Sequence, residues 1–391
     1  MKKVLLGLTS LILCLTSLFV SIGSNGVYAM TASEMFSDFS STSYTLIDKD
    51  SGTILYALNA NQKMPVASIC KLMTTLLTLE SVDRGEISLE DMVVASDHAC
   101  DAEGSQAFLD AGSEYMVGEL LKSVIVASAN DSAIVLAEAL GGTEQNFTKM
   151  MNNRANELGM MNTLYANATG LPASGQYSTA FDTAIILKEV GKYDIYNEYC
   201  KIWMDTFTHP SGRETELVNT NRLIKYYDYC TSGKTGFTDE AGYCLSSTAS
   251  KNGMNLVAVV LNCKDSASRF KESMELYNYG FNNFENRKVI DSTQPLGITV
   301  EVNKGKEKQI EVIAQNDFSV IDKRGNDATV ELKFEISTSV NAPVVQGQVV
   351  GKILVVKDGV IVGEVNAVSM NNIDKQNYRD ILNKIIDNWA L

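Results

Sequence analysis

The pattern of apolar and polar residues predicts a β-hairpin and then a helix at the start of the folded chain. Residues 44–47 and 53–58 have strand character and are separated by a turn-forming segment. Directly after Pro65, apolar residues recur at helical spacing as far as Leu79. Because proline favours the first turn of a helix, we expect Ser68 to lie at or beside a helix start.

Helical periodicity dominates the middle of the chain. Residues 115–158 are strongly helical, with a break near Ser128 and a stop at Gly141-Gly142, and residues 181–190 give one more helix. This part of the chain is therefore predicted to form a helical lobe.

Strand patterns return after the helical lobe. One strand is predicted around Gly233, and residues 243–249 and 255–261 read as a hairpin. A long helix over residues 266–281 is expected to pack back on these strands. Since strands lie at both ends of the first 285 residues, the sequence predicts one sheet assembled from distant segments, with a cleft between it and the helical lobe.

Beyond about Arg287 the pattern changes to alternating strands, for example at residues 298–302 and 329–334, with Asp358-Gly359 as a turn. This change predicts a separate, small β domain. The fold class is therefore expected to be α/β in the broad sense (α+β), followed by a β-sandwich-like domain.

The N-terminus has the three parts of a secretory signal peptide. Lys2 and Lys3 give a basic start, residues 4–22 are apolar, and Val27-Tyr28-Ala29 is a small-residue cleavage site. The predicted organisation is a signal peptide at 1–29, a first domain at 30–285, a β-rich domain at 286–370 and an amphipathic helix at 371–391.

The C-terminal segment, from about Asp374, places its apolar residues on one face of a helix, with Tyr378 and Trp389 near its ends. Such a stripe fits contact with a membrane surface or packing on the protein itself. Lysine and arginine in this segment are offset by aspartate, so they add little attraction to anionic lipid. The sequence leaves both interpretations open.

Composition limits the range of functions. About 360 residues follow the signal, and the full chain is 45% apolar and 20% charged, which is sufficient for two folded domains. A net charge of -14 argues against nucleic acid as a partner, because neutralising phosphates requires a basic face. We therefore expect a small or peptidic substrate.

No metal or organic cofactor is predicted. The two histidines, His98 and His209, have no metal-ligand spacing, and the six cysteines after the signal contain no Cys-x-x-Cys pair. Most of these cysteines are expected to be small buried side chains, with at most one bridge.

Ser68 and Lys71 place a hydroxyl and an amine on one face of a helix. A serine becomes a strong nucleophile when a base takes its proton, and lysine is such a base only where burial or another cation lowers its pKa. A helix N-terminus at Ser68 would also stabilise developing negative charge. Alone the signal is weak, since Ser-x-x-Lys occurs about once by chance in a chain of this length.

Two further motifs, in the order that this chemistry requires, strengthen the prediction that Ser68 is a nucleophile. Ser128-Ala129-Asn130 falls at the break between two helices, and Lys234-Thr235-Gly236 falls on a predicted strand. Ser128 can relay a proton to a leaving amine, and the Asn130 amide can hold a substrate carbonyl. Lys234 can attract a carboxylate and depress the pKa of Lys71, while Gly236 leaves room for a peptide along the strand edge.

With these motifs the chain resembles the low-molecular-mass penicillin-binding proteins, the serine-type D-alanyl-D-alanine carboxypeptidases. The resemblance covers nearly the whole chain after the signal. The phrases that carry it are Met64-Pro65-Val66-Ala67-Ser68, Lys71-Leu72-Met73-Thr74, Ser128-Ala129-Asn130-Asp131, Tyr177-Ser178-Thr179-Ala180, Asn219-Thr220-Asn221, Lys234-Thr235-Gly236-Phe237-Thr238 and Ala241-Gly242-Tyr243.

The resemblance implies the penicillin-recognising fold, with an antiparallel sheet and a helical lobe, and the family's reaction. Ser68 would attack the penultimate D-alanine carbonyl of a peptidoglycan stem peptide, D-alanine would leave, and water would hydrolyse the acyl-enzyme. It further implies an oxyanion hole from the backbone N–H groups of Ser68 and Phe237, and a carboxylate held by Thr235 with help from Arg269. β-Lactams would acylate the same serine, in an exported protein at the cell wall or the outer face of the cytoplasmic membrane.

Cys70 departs from the threonine more usual between the serine and lysine of such enzymes. Because it lies off the Ser68–Lys71 face, a structural role is the expectation, with sensitivity to oxidants as the alternative hypothesis.

Competing interpretations differ in the fate of the acyl-enzyme. A serine β-lactamase shares the three motifs but needs a carboxylate to activate water, for which Glu214 and Glu216 are the candidates. The Asn219-Thr220-Asn221 phrase and the β domain disfavour it. A non-catalytic cell-wall binding module is the other alternative.

Gly233-Lys234-Thr235 also resembles the end of a phosphate-binding loop, but Asp228 stands where that pattern requires glycine.

Overall fold

The computed structural model describes residues 35–326, 329–380 and 382. The predicted signal peptide and most of the predicted C-terminal helix lie outside these residues. Residues Met35 to Phe39 belong to a unit of their own, in which the Phe39 N–H donates to the Phe36 carbonyl at 3.2 Å. Ser40 begins the second unit, which contains the remaining described residues.

Helices and strands alternate through the first two thirds of this second unit, and strands fill the rest. The helices are α1 (Lys71–Asp83), α2 (Asp97–Cys100), α3 (Val117–Val126), α4 (Asn130–Gly141), α5 (Glu144–Glu157), α6 (Ala180–Val190), α7 (Asp194–Cys200), α8 (Leu223–Tyr226) and α9 (Ser266–Asn283). The strands are β1 (Ser43–Asp48), β2 (Ile54–Leu58), β3 (Met92–Val94), β4 (Glu114–Met116), β5 (Met204–Thr208), β6 (Glu214–Val218), β7 (Cys230–Thr238), β8 (Gly242–Lys251), β9 (Met254–Cys263), β10 (Phe284–Ile290), β11 (Pro295–Asn303), β12 (Gln309–Ala314), β13 (Phe318–Lys323), β14 (Val330–Ile336), β15 (Ser339–Asn341), β16 (Val349–Lys357) and β17 (Val360–Ser369).

The central sheet has the strand order β2-β1-β9-β8-β7, with every neighbouring pair antiparallel. Tyr44 of β1 faces Val260 of β9, so the first and last strands of this region are hydrogen-bonded neighbours. Strand β1 is buried along its whole length because it lies between two strands and helices α6 and α9 pack against it. The prediction of one sheet built from distant segments is confirmed, as is the β8–β9 hairpin.

The helical stretch predicted from residue 115 divides at the expected places, near Ser128 and at Gly141-Gly142, but its first helix begins two residues later than expected. Tyr115 lies in β4, and the stretch divides into α3, α4 and α5. Gly142, at φ +72°, ends α4, and the Thr143 hydroxyl then caps α5 by accepting the Asn146 N–H at 3.2 Å. The short strands β3 to β6 were not predicted, because three to five residues carry too little periodicity.

The β domain has the strand order β14-β16-β17-β12-β11-β15 in one sheet, and β10 pairs with β13 in a second. Side chains from both sheets share one apolar core, which includes Ile290, Val312, Val320 and Ile353. The prediction of a β-rich second domain is confirmed, and Asp358-Gly359 is the turn between β16 and β17.

The chain after β17 departs from the predicted helix at its start. Ile373 and Lys375 make isolated bridges with Val344 and Gly305, and helical structure begins only at Tyr378. The helix predicted from about Asp374 is therefore wrong for its first residues, since their backbone groups pair with the β domain. In the part of the chain that the structure describes, no helix has both the length and the apolarity to cross a membrane.

Most of the cysteines and one of the two histidines are buried. All six cysteines of the described chain are free thiols, and Cys70, Cys200, Cys244 and Cys263 are buried. Buried His209 lies within hydrogen-bond distance of the Tyr115 and Thr215 hydroxyls. Within the described residues, no three His, Cys, Asp or Glu side chains come together as a metal site would require.

Candidate active site

Ser68 lies in a short 3₁₀ turn, Ala67–Cys70, that continues directly into α1. Ala67 has φ +48°, a left-handed conformation that costs a non-glycine residue about 1–2 kcal/mol. The surrounding contacts must therefore hold the turn in place. Ser68 itself is half-buried, so its hydroxyl remains accessible.

Two glycines lie in close contact with the backbone of this turn. A Cβ atom at Gly236 of β7 would lie 2.5 Å from the Val66 carbonyl oxygen, and one at Gly170 would overlap the Ala67 carbonyl. Only glycine permits these approaches. Strand β7 and the loop around Gly170 therefore both contact the segment that carries Ser68.

The structure places Lys71 next to Ser68. The Lys71 Nζ atom lies 2.9 Å from Ser68 Oγ and donates to the Thr169 carbonyl at 2.6 Å. The side chain is fully buried, and burial lowers the pKa of Lys71 to about 7, against a smaller opposing effect of Cys70 and Asp131. Of the two causes considered from the sequence, burial and a second cation, burial is therefore the main one. A substantial fraction of Lys71 is neutral near pH 7.

Ser128 and Lys234 meet across the cleft between the helical lobe and the sheet. Ser128 lies at the break between α3 and α4 with φ +65°, and Lys234 Nζ donates to its Oγ at 2.7 Å. Burial, with repulsion from Lys71 and Arg269, holds the pKa of Lys234 well below its usual range. The three motifs, separated by up to 166 residues in the chain, form a cluster of two hydrogen-bonded pairs, Ser68–Lys71 and Ser128–Lys234, whose serines line the same cavity.

Asn130 and Asp131 fasten a loop of the helical lobe to this cluster. The Asn130 backbone N–H donates to the Ser105 carbonyl at 2.7 Å, and its Nδ2 donates to the Glu103 carbonyl at 2.5 Å. The buried Asp131 carboxylate accepts from the N–H groups of Ala107 at 3.0 Å and Leu109 at 3.1 Å. Asn130 Oδ1 is buried and, within the described residues, without a hydrogen-bond partner.

Thr235 and Arg269 both border the cleft but have different hydrogen-bond partners. The Thr235 hydroxyl donates to Thr220 Oγ1 at 2.7 Å on the cleft side. Arg269 borders the cleft, but its Nη1 donates to the carbonyls of Gly236 and Cys244 at 3.1 and 3.4 Å. Its guanidinium therefore holds the backbone of β7 and β8, which makes it a support of the strand rather than a free carboxylate ligand.

These groups border one cavity of about 430 Å³. Of the residues predicted for the site, Lys71 and Lys234 lie behind their hydroxyl partners, and Ser68, Ser128, Asn130, Thr235, Gly236, Phe237 and Arg269 line the cavity. The remaining lining residues, which the predicted site did not include, are Gly104, Ser105, Gly170, Leu171, Thr220 and Thr238. Thr220 had a signal, because it falls within a phrase that carries the resemblance, whereas Gly104 and Leu171 reach the site only through tertiary packing.

A larger groove, of about 690 Å³, lies between β3–β4 and β5 and is bordered mainly by apolar side chains such as Met92, Met116 and Phe207. It has no serine–lysine pair among its lining residues. The smaller cavity is therefore the candidate active site, because chemistry rather than volume identifies it.

Cys70 points away from the Ser68 hydroxyl. Its thiol donates to the Asn167 carbonyl at 3.3 Å, its side chain is almost fully buried, and burial raises the pKa of the thiol to about 12. These contacts agree with the structural role expected for it.

Comparison with known protein families matches both parts of the chain. The sequence profile of the D-alanyl-D-alanine carboxypeptidase family matches residues 28–265, and that of the penicillin-binding protein 5 C-terminal domain matches residues 284–375.

Individual relatives give the same result. The chain is 36% identical to the D-alanyl-D-alanine carboxypeptidase DacF of Bacillus subtilis over 349 residues, which cover 89% of this chain and 90% of that protein. Among solved structures, penicillin-binding protein 5 of Haemophilus influenzae aligns with a TM-score of 0.69 at 30% identity, over 86% of this chain and 98% of that one. A peptidoglycan synthesis regulatory factor (PBP3) of Streptococcus pneumoniae aligns with a TM-score of 0.75 at 27% identity, over 86% and 100% respectively.

Proposed function

Because this chain belongs to the D-alanyl-D-alanine carboxypeptidase family of penicillin-binding serine hydrolases, we propose that Ser68 is its nucleophile and Lys71 its general base. The enzyme is a serine D-Ala-D-Ala carboxypeptidase. The observation that carries the assignment of roles is the 2.9 Å approach of a buried amine, with its pKa lowered to about 7, to the Ser68 hydroxyl.

In the acylation step, neutral Lys71 accepts the Ser68 proton while Ser68 Oγ bonds to the carbonyl carbon of the penultimate D-alanine. The backbone N–H groups of Ser68 and Phe237 stabilise the oxyanion. When the C–N bond breaks, the leaving amine of D-alanine takes a proton from the Ser128 hydroxyl. Ser128 in turn receives the proton that Lys71 took from Ser68, so Lys71 is neutral again before the second step. Ser128 suits this task, because Lys234 holds its Oγ at 2.7 Å and orients it towards the cleft that it lines.

Substrate recognition uses the groups around Thr235. A terminal carboxylate beside the Thr235 and Thr220 hydroxyls would lie near Lys234, and its negative charge would raise the pKa of that amine again. In the second step Lys71 removes a proton from water, the water oxygen attacks the acyl carbon, and Ser68 recovers its proton. Both steps therefore use the same base.

The two glutamates that the β-lactamase alternative would need do not line the active-site cavity. Glu214 and Glu216 lie on β6, and both are exposed. In the part of the chain that the structure describes, the residues lining the cavity include neither aspartate nor glutamate. Among the described residues, the cavity therefore has no second base that could promote fast hydrolysis of a β-lactam acyl-enzyme.

We extend the proposal to the biological setting. The substrate is the peptidoglycan stem peptide ending in D-Ala-D-Ala, and the enzyme is exported by a signal peptide at residues 1–29 to the cell wall or outer face of the cytoplasmic membrane. The catalytic domain would span 30–285 and the β domain 286–370. The C-terminal helix, most of which lies outside the described residues, would contact the membrane surface.

The test measures D-alanine release from N-acetylated tripeptides ending in D-Ala-D-Ala, together with the intact mass after exposure to penicillin. We expect D-alanine release and one stable β-lactam adduct, located by peptide mapping on Ser68. Ser68→Ala should lose both. Glu216→Gln serves as the control for the alternative, and it should leave release and adduct lifetime unchanged.

Release of D-alanine by the Ser68→Ala variant, or an adduct on another residue, would refute Ser68 as the nucleophile. A wild-type adduct that disappears within milliseconds would favour the β-lactamase instead. Binding of the peptide with no release at all would favour a non-catalytic binding module.

A further inference from the structure

The larger groove of about 690 Å³ is separate from the active-site cavity. In the described part of the chain, the two share no lining residue. Two consecutive runs of residues, 112–116 and 207–210, border the groove; the first contains β4 and the second begins in β5. Tyr115 and Phe207 connect these strands, since their ring centroids lie 5.7 Å apart. The groove therefore runs along β4.

Strand β4 has an edge that is available for pairing. Within the described chain, β3 and β4 form a sheet of two strands, so β4 has no second neighbour. The Ala95 N–H donates to the Ser113 carbonyl at 2.9 Å, which makes these residues a hydrogen-bonded pair. Because such pairs alternate along antiparallel strands, the backbone N–H and C=O of Glu114, one residue further on, are directed away from β3. An extended chain can add to such an edge.

The side chains that border the groove are mainly apolar. Met92 and Met116 are direct neighbours across β3 and β4, and both are exposed, as is Val94 opposite Glu114. Methionine adapts its shape to an apolar partner, and contiguous exposed apolar surface is typical of contact sites between proteins. The groove thus has the composition of a docking surface.

The charge around the groove is acidic. The four strands β3–β6 contain no lysine or arginine, and their charged side chains are Glu114, Asp205, Glu214 and Glu216. Of these, the three glutamates are exposed. Lys122 of α3 is already paired with Glu119 and Asp205, at 2.9 and 2.7 Å, and Arg213 of the β5–β6 turn pairs with Asp110 at 2.8 Å. The remaining field favours a basic partner.

We propose that this groove binds an extended segment of a partner protein in which apolar side chains alternate with lysine or arginine. The segment pairs with the β4 edge, contacts Met92 and Met116 with its apolar side chains, and presents its cations to Glu114 and to the glutamates of β6. Alternation follows from the period of two in a strand. A second copy of this chain does not fit, because it would bring like charges together at the shared edge.

The experiment measures the affinity of the purified protein for three fluorescent heptapeptides by fluorescence anisotropy. The basic peptide is Lys-Val-Lys-Leu-Lys-Val-Lys, the acidic peptide has glutamate in place of each lysine, and the third is the basic peptide with proline in place of leucine. We expect the basic peptide to bind at least about tenfold more tightly than the other two. Glutamates repel the groove, and proline lacks the N–H that pairing requires.

Two variants place the peptide in the groove. Glu114→Lys and Met92→Ser should each weaken binding of the basic peptide at least about fivefold, and Glu114→Lys should strengthen binding of the acidic peptide. Either variant alone suffices if the other does not fold, which thermal unfolding will show. The matched control is Glu331→Lys, since Glu331 is an exposed glutamate on β14, the edge strand of the β domain sheet, and its substitution should change neither affinity.

Several results would overturn the docking surface. One is the absence of saturable binding of the basic peptide up to about 1 mM. Equal affinity for the basic and acidic peptides would be another, as would affinities that neither groove variant changes. An equal loss in Glu331→Lys and Glu114→Lys would mean attraction to the net charge of the protein alone. Tight binding of the proline peptide would exclude pairing with β4.

Discussion

The catalytic region and the β domain differ in what they bury. Around the cleft, Lys71, Lys234, Asn130 and Asp131 are each at most 3% exposed. Among residues 286–380 that the structure describes, the buried polar side chains are Asp322 and Ser369, and Asp322 pairs with Arg287 at 2.9 Å. The core of the β domain is otherwise aliphatic.

This difference has an energetic meaning. Burial of an amine that is not fully paired disfavours its charged form and costs folding free energy, whereas aliphatic burial stabilises at about 25 cal/mol per Å². The catalytic region thus retains groups that reduce its stability because they are reactive. Substitutions around the cleft should change activity most, and substitutions in the β domain core should change stability most.

The largest expected effect is that of Lys71→Arg. A guanidinium keeps its proton at any working pH, so the variant retains the positive charge but lacks the base. We expect kcat/KM for D-alanine release to fall about 10³-fold. Lys352→Arg on β16, where the lysine pairs with Glu364 at 2.8 Å, is the matched control and should have no effect. An active Lys71→Arg enzyme would exclude Lys71 as the base.

Acidification should have the next largest effect. Because burial lowers the pKa of Lys71 to about 7, the amine is mostly neutral above pH 7 and gains a proton below it. The rate of penicillin acylation should therefore fall with decreasing pH, approaching about tenfold per unit well below the pKa and giving about 50-fold between pH 7 and 5. If the acylation rate instead begins to fall already below about pH 10, Lys71 is not desolvated in solution.

A pair of glycine substitutions separates close packing from backbone conformation. Gly170 and Gly347 have nearly the same φ, +80° and +82°, but a Cβ atom at Gly170 overlaps the Ala67 carbonyl while one at Gly347 meets nothing within 4 Å. Gly347→Ala should cost about 1–2 kcal/mol of unfolding free energy and leave kcat/KM unchanged. Gly170→Ala should also lower kcat/KM, by about tenfold or more, because it displaces the Ser68 turn. Equal activity in both variants would show that the Gly170 contact does not position the turn.

Truncation of the β domain core should affect stability alone. Ile353 is fully buried on β16, and Ile353→Ala should reduce the free energy of unfolding by about 2–5 kcal/mol in urea titrations. The folded fraction should keep kcat/KM within about twofold. A large loss of activity at full folding would show that the β domain communicates with the cleft.

The smallest effect is expected from mild peroxide. The Cys70 thiol is buried, with its pKa raised to about 12, so little of the reactive thiolate forms. Activity after treatment should equal that of an untreated sample. Loss of activity that Cys70→Ser prevents would revive the oxidant-sensitivity hypothesis.

Local patterns predicted much of this structure. The helix start at Ser68, the break at Ser128 and the strand at Lys234 depend on residues close in sequence, and the structure has all three. The strand pairs β3–β4 and β5–β6 are too short for periodicity to detect.

The unpredicted part of the site depends on contacts between distant segments. Leu171 and Ser105 line the cleft because their loops are fixed by Gly170 against Ala67 and by Asn130 against the Ser105 carbonyl. Sequence periodicity contains no information on such loop positions. The sequence could not predict the contacts of Arg269 either, because they depend on the register of β7 against β8.

The order of strands in the central sheet has a consequence for how the enzyme is made. Strand β1 lies between β2 and β9, so one of its edges keeps unpaired backbone groups until residues 254–263 arrive. A chain emerging N-terminus first from a ribosome or a translocation channel has Ser68 long before it has Lys234. We therefore expect a nascent chain stalled before β9 neither to trap penicillin nor to resist proteases.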